Sequence, residues 1–309
     1  MKMISELTDH EHVDGQFLIG NVSKGVNTAG GSYFSVELRD ASGSIPGKKW
    51  EATLEDEQIF IAGNVVEISG ETNKYKDQLQ LKILTAELVP LENIAVERFV
   101  KAPPISKQEL VNRFNAHVAS IKNKDCLKII DYFMKKFGEN IFSYPAAVSI
   151  HHEYSSGLLM HSVTMANLAE YLCPIYEADH DLLITGCLLH DMGKIIELEG
   201  PIVYKYSTEG KLLGHISIMA AELRKAAQEL KIESEVPLLL EHMILSHHGQ
   251  QEFGSPVMPL TKEALLLSLI DNLDSKMVVV NKALADVEPG NFSTKVFSLD
   301  NRAFYKPKK

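Results

Sequence analysis

The chain has 309 residues, of which 45% are hydrophobic and 23% are charged, and this balance excludes an intrinsically disordered protein. A chain of this length is typical of two domains rather than one. The net charge of −10 excludes a protein that holds nucleic acid through its overall charge alone, although bound divalent cations would still allow a phosphate substrate.

About the first 90 residues show short β-type runs separated by turn signals. The alternation is clearest at Phe34, Val36 and Leu38, which share one face of a strand. The expected strands are residues 15–22, 33–39, 45–52, 64–69 and 78–87. Five short strands in this length predict a small closed barrel, and the OB-fold is the leading candidate.

A pair of prolines, Pro103 and Pro104, ends the β pattern, because proline fits neither a strand ladder nor a helix interior. Ser106 and Glu109 then form the signature of a helix capping box, after which apolar residues recur at helical spacing. The expected helices are residues 106–122, 124–137, 158–173, 180–192, 215–230, 235–247 and 261–285. We therefore expect an α+β, multidomain protein: a small β-barrel over 1–95, a linker with helices over 96–140, and an all-α domain over 141–309.

Nine of the twelve histidines lie between His151 and His248, and purely structural histidines would not concentrate in this way. Imidazole and carboxylate groups suit ions such as Mn²⁺, Fe²⁺ and Zn²⁺, and no cysteine pair is spaced for a thiolate site. Asp271 follows an apolar run, where a carboxylate is costly to bury unless it is paired or bound to metal. The candidate ligands are His161, His190, Asp191, His215, His247, His248 and Asp271.

The order H…HD…D, at His161, His190–Asp191 and Asp271, resembles the HD superfamily of metal-dependent phosphohydrolases. The run HDMGK at residues 190–194 is similar to that family's HDxGK form. The three remaining histidines of the set resemble the subset that binds two metal ions. No GYP motif follows the HD pair, which disfavours the cyclic-dinucleotide phosphodiesterases of that subclass.

The chain as a whole, an OB-type barrel joined to an HD domain, resembles the YhaM family of 3′→5′ exoribonucleases from Gram-positive bacteria. The runs at residues 151–162, 271–276 and 297–305 are similar to that family, and the resemblance covers nearly the whole chain. It implies single-stranded RNA as the substrate, with single-stranded DNA as a second candidate. It also implies two divalent metal ions, expected to be Mn²⁺, for which Fe²⁺, Co²⁺ or Mg²⁺ would be alternatives.

The matching motifs imply a role for each ligand. One ion would take His161, His190, Asp191 and Asp271, and the other would share Asp191 and take His215, His247 and His248. Asp191 is the expected catalytic residue between the ions, and Lys194 is expected to neutralise a phosphate oxygen. Lys276 and His152 are further candidates for substrate contact.

Two tyrosines of the barrel are candidates for stacking on bases, as aromatic residues do in OB-folds. Tyr33 lies on the strand face opposite Phe34, and Tyr75 lies in a polar turn. Trp50 fits either the core or the surface.

Two other functions fit the sequence. The first is an HD nucleotidase or small-nucleotide phosphodiesterase, but a bare HD domain suffices for small substrates and leaves the barrel unexplained. The second is a non-catalytic RNA-binding protein with a decayed HD domain, which the intact set of ligands disfavours.

The sequence shows no membrane or secretion segment. No apolar run approaches the roughly 18 residues of a membrane span, and the N-terminus is polar. Three cysteines without metal-type spacing are typical of a reducing compartment. We therefore expect a cytoplasmic protein without a membrane partner, and homo-oligomers are compatible with this expectation.

Overall fold

The computed structural model describes residues 1–28, 30–100, 105–145, 156–200 and 204–308. The chain folds into two compact units, of which the first contains residues 1–28 and 30–100 and the second contains nearly all of the described residues from 105 onwards. The first unit is a closed β-barrel and the second is helical, which confirms the predicted fold class. Within the described ranges, no helix combines the length and apolar character needed to cross a membrane.

Among its described residues, the barrel has five strands and one short α-helix. Their bounds are β1 (His12–Val26), β2 (Ser32–Asp40), β3 (Gly43–Trp50), α1 (Asp56–Ile59), β4 (Val65–Tyr75) and β5 (Gln78–Leu88). The strands close in the order β1-β2-β3-β5-β4, with β1 antiparallel to β4 and β3 parallel to β5. A closed five-stranded barrel of this kind is an OB-fold.

The barrel closes because β1 is long enough to pair with two neighbouring strands. Its residues 12–18 pair with β4 and its residues 18–26 pair with β2, with a register shift between Ile19 and Val22. Such an irregularity bends a strand and allows it to turn from one partner to the next. The face predicted from alternation points inward, since Phe34, Val36 and Leu38 are all buried.

The second unit is built from eight helices and a two-stranded hairpin among its described residues. Their bounds are α2 (Lys107–Ser120), α3 (Lys124–Phe137), α4 (Gly157–Tyr176), α5 (His180–Leu189), α6 (Lys194–Glu197), β6 (Leu198–Glu199), β7 (Lys205–Tyr206), α7 (Thr208–Glu229), α8 (Val236–Ser246) and α9 (Lys262–Leu284). Helices α2 and α3 contribute Phe114, Ile129 and Phe133 to the same core as the later helices. The domain boundaries at residues 95 and 140 stay a prediction.

Helix α7 differs from the sequence pattern in a way that matters for the site. It begins at Thr208 rather than at residue 215, and it bends at Gly214, which has φ 71° and ψ 153°. Glycine reaches this conformation without a steric penalty, whereas other residues do not. The bend breaks the helical periodicity, which is why the pattern predicts only the second half of α7.

Candidate metal centre

The predicted ligands come from five helices whose ends or faces meet in the second unit. His161 lies in the second turn of α4, and Asp271 lies on the buried face of α9. The pairs His190–Asp191 and His247–His248 directly follow the last residues of α5 and α8, and His215 directly follows the bend in α7. The C-terminal end of a helix carries partial negative charge, so the ends of α5 and α8 favour a cation at this place.

The first group of ligands contains His161, His190, Asp191 and Asp271. Nε2 of His161 lies 3.2 Å from Nε2 of His190 and 3.3 Å from Oδ1 of Asp271. Oδ2 of Asp191 lies 3.4 Å from Nε2 of His190 and 3.8 Å from Nε2 of His161. Each of His161, His190 and Asp191 offers one ligand atom, and these three atoms lie within 4.8 Å of one another. They are therefore close enough to bind one ion.

The second group contains His215, His247 and His248, whose nitrogen atoms also lie within 4.8 Å of one another. Asp191 faces this group through its other oxygen. Oδ1 lies 3.4 Å from Nε2 of His215 and 3.7 Å from Nε2 of His247. The Asp191 carboxylate therefore presents one oxygen to each group.

Whether these residues fit a metal ion can be judged from three atoms, two of which belong to the second group and one to Asp191. Asp191 Oδ1, His215 Nε2 and His247 Nε2 are buried and have no hydrogen-bond partner among the described residues. His247 donates its Nδ1–H to the Ile244 carbonyl at 2.7 Å, so its Nε2 is an acceptor when the ring is neutral. Acceptors buried face to face are costly unless a cation lies between them, so the residues present fit a divalent ion bound by nitrogen and oxygen.

The protonation states of two ligands match that requirement. Burial, reinforced by the nearby His190, lowers the pKa of His247 well below its usual range, so the ring is neutral. Burial alone would raise the pKa of Asp191, but Lys194 and His190 hold the pKa of this carboxyl well below its usual range. Metal ligands must be neutral imidazoles and ionised carboxylates, and these two residues are in those states.

His161 is in a different state. Burial lowers the pKa of His161, but hydrogen bonds to Asp271 and Asp274 outweigh that effect and raise the pKa to about 10. Without a cation this ring is therefore protonated at Nε2 as well as at Nδ1. An ion bound at Nε2 would displace that proton, which makes metal binding at this position dependent on pH.

Two carboxylates that the sequence reasoning missed orient histidines of the set. His161 donates its Nδ1–H to Oδ2 of Asp274 at 2.7 Å, and His215 donates its Nδ1–H to Oε1 of Glu197 at 3.2 Å. Such partners turn the other ring nitrogen toward the metal. Asp274 is three residues after Asp271 on an apolar helix, and that spacing was a signal that could have revealed it.

In the HDMGK run, close packing requires glycine at position 193, and Lys194 lies at the site. A Cβ atom on Gly193 would lie 2.2 Å from the carbonyl oxygen of His215, so only glycine lets this turn pack against the bend of α7. Lys194 donates from Nζ to Oδ2 of Asp191 at 2.6 Å. Burial lowers the pKa of Lys194, but Asp191 and the other nearby carboxylates together outweigh that effect and raise the pKa. The ammonium therefore stays charged beside the ligands.

Of the two other substrate contacts predicted on the helical unit, the structure describes only Lys276, and it lies away from this centre. Lys276 is exposed and lies about 140° around α9 from Asp271, at 100° per residue, so it faces away from the ligands. It borders a groove with Asn272 and Arg302 instead. His152 lies outside the described residues.

The two predicted tyrosines lie on the surface of the barrel. The rings of Tyr33 and Trp50 are adjacent across β2 and β3, with centroids 5.0 Å apart, and Lys48 Nζ lies 5.3 Å and 5.1 Å from them. Trp50, which the sequence allowed either in the core or on the surface, is 38% exposed and therefore lies on the surface. Tyr75 is 60% exposed at the turn between β4 and β5, with Lys76 Nζ 5.5 Å from its ring.

Comparisons with known proteins agree with this description. The family model of the HD domain matches residues 158–276, and an HD domain implies dependence on a divalent metal. The 3′-5′ exoribonuclease YhaM of Bacillus velezensis is 43% identical over 96% of this chain and 95% of its own length. The protein of the same name from Bacillus subtilis strain 168 is also 43% identical, over the same shares.

Among solved structures, the second OB-fold domain of replication protein A from Methanococcus maripaludis is 22% identical and covers 28% of this chain and 93% of its own, with a TM-score of 0.25. At that score the likeness carries no weight, and the OB-fold assignment depends on strand order and closure. Identity of 43% along nearly the full length of both chains shows the family, and this chain belongs to the YhaM family of 3′-5′ exoribonucleases.

Proposed function

We propose that this protein is a 3′-5′ exoribonuclease that hydrolyses the phosphodiester bonds of single-stranded RNA with the help of two divalent metal ions. The observation that carries the proposal is the Asp191 carboxylate, which presents Oδ2 to one group of ligands and a buried Oδ1 without a hydrogen-bond partner in the described chain to the other. The membership of the YhaM family supports RNA as the substrate and the 3′ end as the starting point.

The ligands divide between the two ions as the geometry groups them. The first ion would be held by His161, His190 and Asp271. The second ion would be held by His215, His247 and His248, and Asp191 would bind both ions. Bound divalent ions supply Lewis-acid activation of a phosphodiester and of a water molecule. The nitrogen and oxygen donors suit Mn²⁺, Fe²⁺ or Co²⁺, and we propose Mn²⁺, with Mg²⁺ as a less fitting substitute for so many imidazoles.

Lys194 is the residue that we propose for phosphate contact. Its side chain is 17% exposed, and its Nζ already lies beside Asp191. A compact cation at this position can donate to Asp191 and to a non-bridging phosphate oxygen at once, because an ammonium has three donors. Lys194 would thereby hold the scissile group against the metal ligands.

We propose that the barrel, over residues 1–95, delivers the strand to the helical domain over 141–309. Oligonucleotides bind OB-folds along β2 and β3 and at the β1–β2 and β4–β5 loops. Tyr33, Trp50 and Lys48 occupy the outer face of β2 and β3, and Tyr75 occupies the β4–β5 turn. These rings can stack on successive bases without regard to sequence, and Lys48 can contact the backbone.

The direction and substrate can be tested with one labelled oligomer. We expect a 5′-labelled single-stranded RNA, incubated with the protein and Mn²⁺, to give a ladder that shortens from its 3′ end, and chelator to stop the reaction. A DNA oligomer of the same sequence measures the preference for the 2′-hydroxyl. Cleavage of mononucleotides or dinucleotides alone would contradict the proposal in favour of a nucleotidase, and folded protein without turnover in any metal would favour a binding protein.

A further inference from the structure

We infer that Glu197 is a positioning residue that sets the affinity of the second metal site without affecting the first. The inference rests on the two-ion function proposed above. Glu197 is the last residue of α6 and its side chain is only 10% exposed. Its Oε1 accepts two hydrogen bonds from one residue, His215: from the backbone N–H at 3.0 Å and from Nδ1–H at 3.2 Å.

His215 needs such a partner more than His190 and His247 do. His190 and His247 each donate Nδ1–H to a carbonyl three residues earlier in the chain, Cys187 and Ile244 respectively, so the end of each helix orients its own histidine. His215 follows Gly214, whose backbone departs from helical φ and ψ, and its backbone N–H donates to Glu197. The carboxylate therefore fixes both the backbone and the ring of this ligand.

Glu197 is itself held firmly. Its backbone N–H donates to the carbonyl of Gly193 in the HDMGK turn, and its carbonyl accepts from the N–H of Ser207 just before α7. A Cβ atom on Gly210 would lie 2.2 Å from the Glu197 carbonyl oxygen, so the first turn of α7 packs directly on this residue.

The first site has its own counterpart in Asp274. That carboxylate accepts from Nδ1–H of His161 and comes from α9, whereas Glu197 comes from α6. Each group of ligands thus contains one histidine that is oriented by a carboxylate from another element. Since the two carboxylates contact different histidines, the loss of either one should weaken one ion and spare the other.

The test counts Mn²⁺ per folded full-length chain by equilibrium dialysis over a range of free Mn²⁺. Wild type is expected to bind two ions. Glu197→Ala should weaken one of the two binding steps about 10- to 100-fold, as is typical when the carboxylate behind a ligating histidine is lost, and leave the other step unchanged. Glu197→Gln, which keeps an acceptor oxygen, should restore part of that loss.

Two matched variants identify the cause. Asp274→Ala should weaken the other binding step, and Glu199→Ala, which removes an exposed carboxylate two residues away, should change neither. Circular dichroism melting reports the folding of every variant, and if Glu197→Ala does not fold, Glu197→Gln must still weaken one binding step alone, a different step from the one that Asp274→Ala weakens. Equal weakening of both steps, or no change in either, would overturn the inference. A single ion in the wild type would instead overturn the two-ion function itself.

Discussion

Replacing Asp191 with asparagine is expected to abolish RNA hydrolysis while leaving RNA binding by the barrel intact. Asparagine has the shape of aspartate but lacks the negative charge, and the Asp191 carboxylate faces one group of ligands with Oδ2 and the other group with Oδ1. Metal ions stabilise transition-state charge by several kcal/mol, and each 1.4 kcal/mol is tenfold, so we expect a loss of about 1,000-fold or more in kcat.

The measurement compares single-turnover cleavage of a labelled RNA with RNA binding by anisotropy, in Mn²⁺. Asp300→Asn provides the control, because it removes the same charge from an exposed position near the C-terminus. Activity of the Asp191 variant within a few-fold of wild type would show that this carboxylate does not bridge the two groups. Loss of RNA binding together with activity would show that the metal centre also holds most of the strand.

Replacing both Tyr33 and Trp50 with alanine is expected to weaken the binding of single-stranded RNA without slowing the cleavage of a short substrate. The two rings lie side by side on the outer face of β2 and β3 with Lys48 over both, so they can serve as a stacking platform. Stacking contributes about 1–3 kcal/mol per base, which predicts a rise in Kd of roughly 5- to 150-fold for each ring that engages a base.

This effect is best measured in the Asp191→Asn background, where the RNA is not degraded. Leu54→Ala is the matched control, because Leu54 is also a large side chain on the surface of the barrel and is 82% exposed. Unchanged Kd in the double variant would exclude this face as the binding surface. A fall in kcat on a dinucleotide, with Kd unchanged, would show that the pair acts on the catalytic unit instead.

The sequence was most informative where chemistry requires particular residue types at a fixed spacing. The seven metal-ligand candidates are an example: helices, helix ends and a bend bring them together, and His, Asp and the HDMGK run are visible without a structure. The inward face of β2 was equally readable, because strand alternation reports burial directly.

The parts that escaped prediction depend on contacts between distant segments. Glu197 and Asp274 contact histidines that are 18 and 113 residues away in the chain. The spacing of three residues from Asp271 marks Asp274 as a candidate for the site, but the sequence does not say which histidine either carboxylate contacts. The early start of α7 was hidden by the bend at Gly214, which interrupts the helical period. Lys276 follows the final aspartate motif in the sequence, but its helical phase turns it away from the ligands.

The central feature of this site is the single carboxylate between two clusters of ligands. An anomalous diffraction map from crystals grown with Mn²⁺ tests it most directly. The arrangement predicts two manganese peaks, one beside Oδ2 of Asp191 with His161 and His190, and one beside Oδ1 with His215 and His247. A single peak, or two peaks of which only one touches Asp191, would contradict the bridging role.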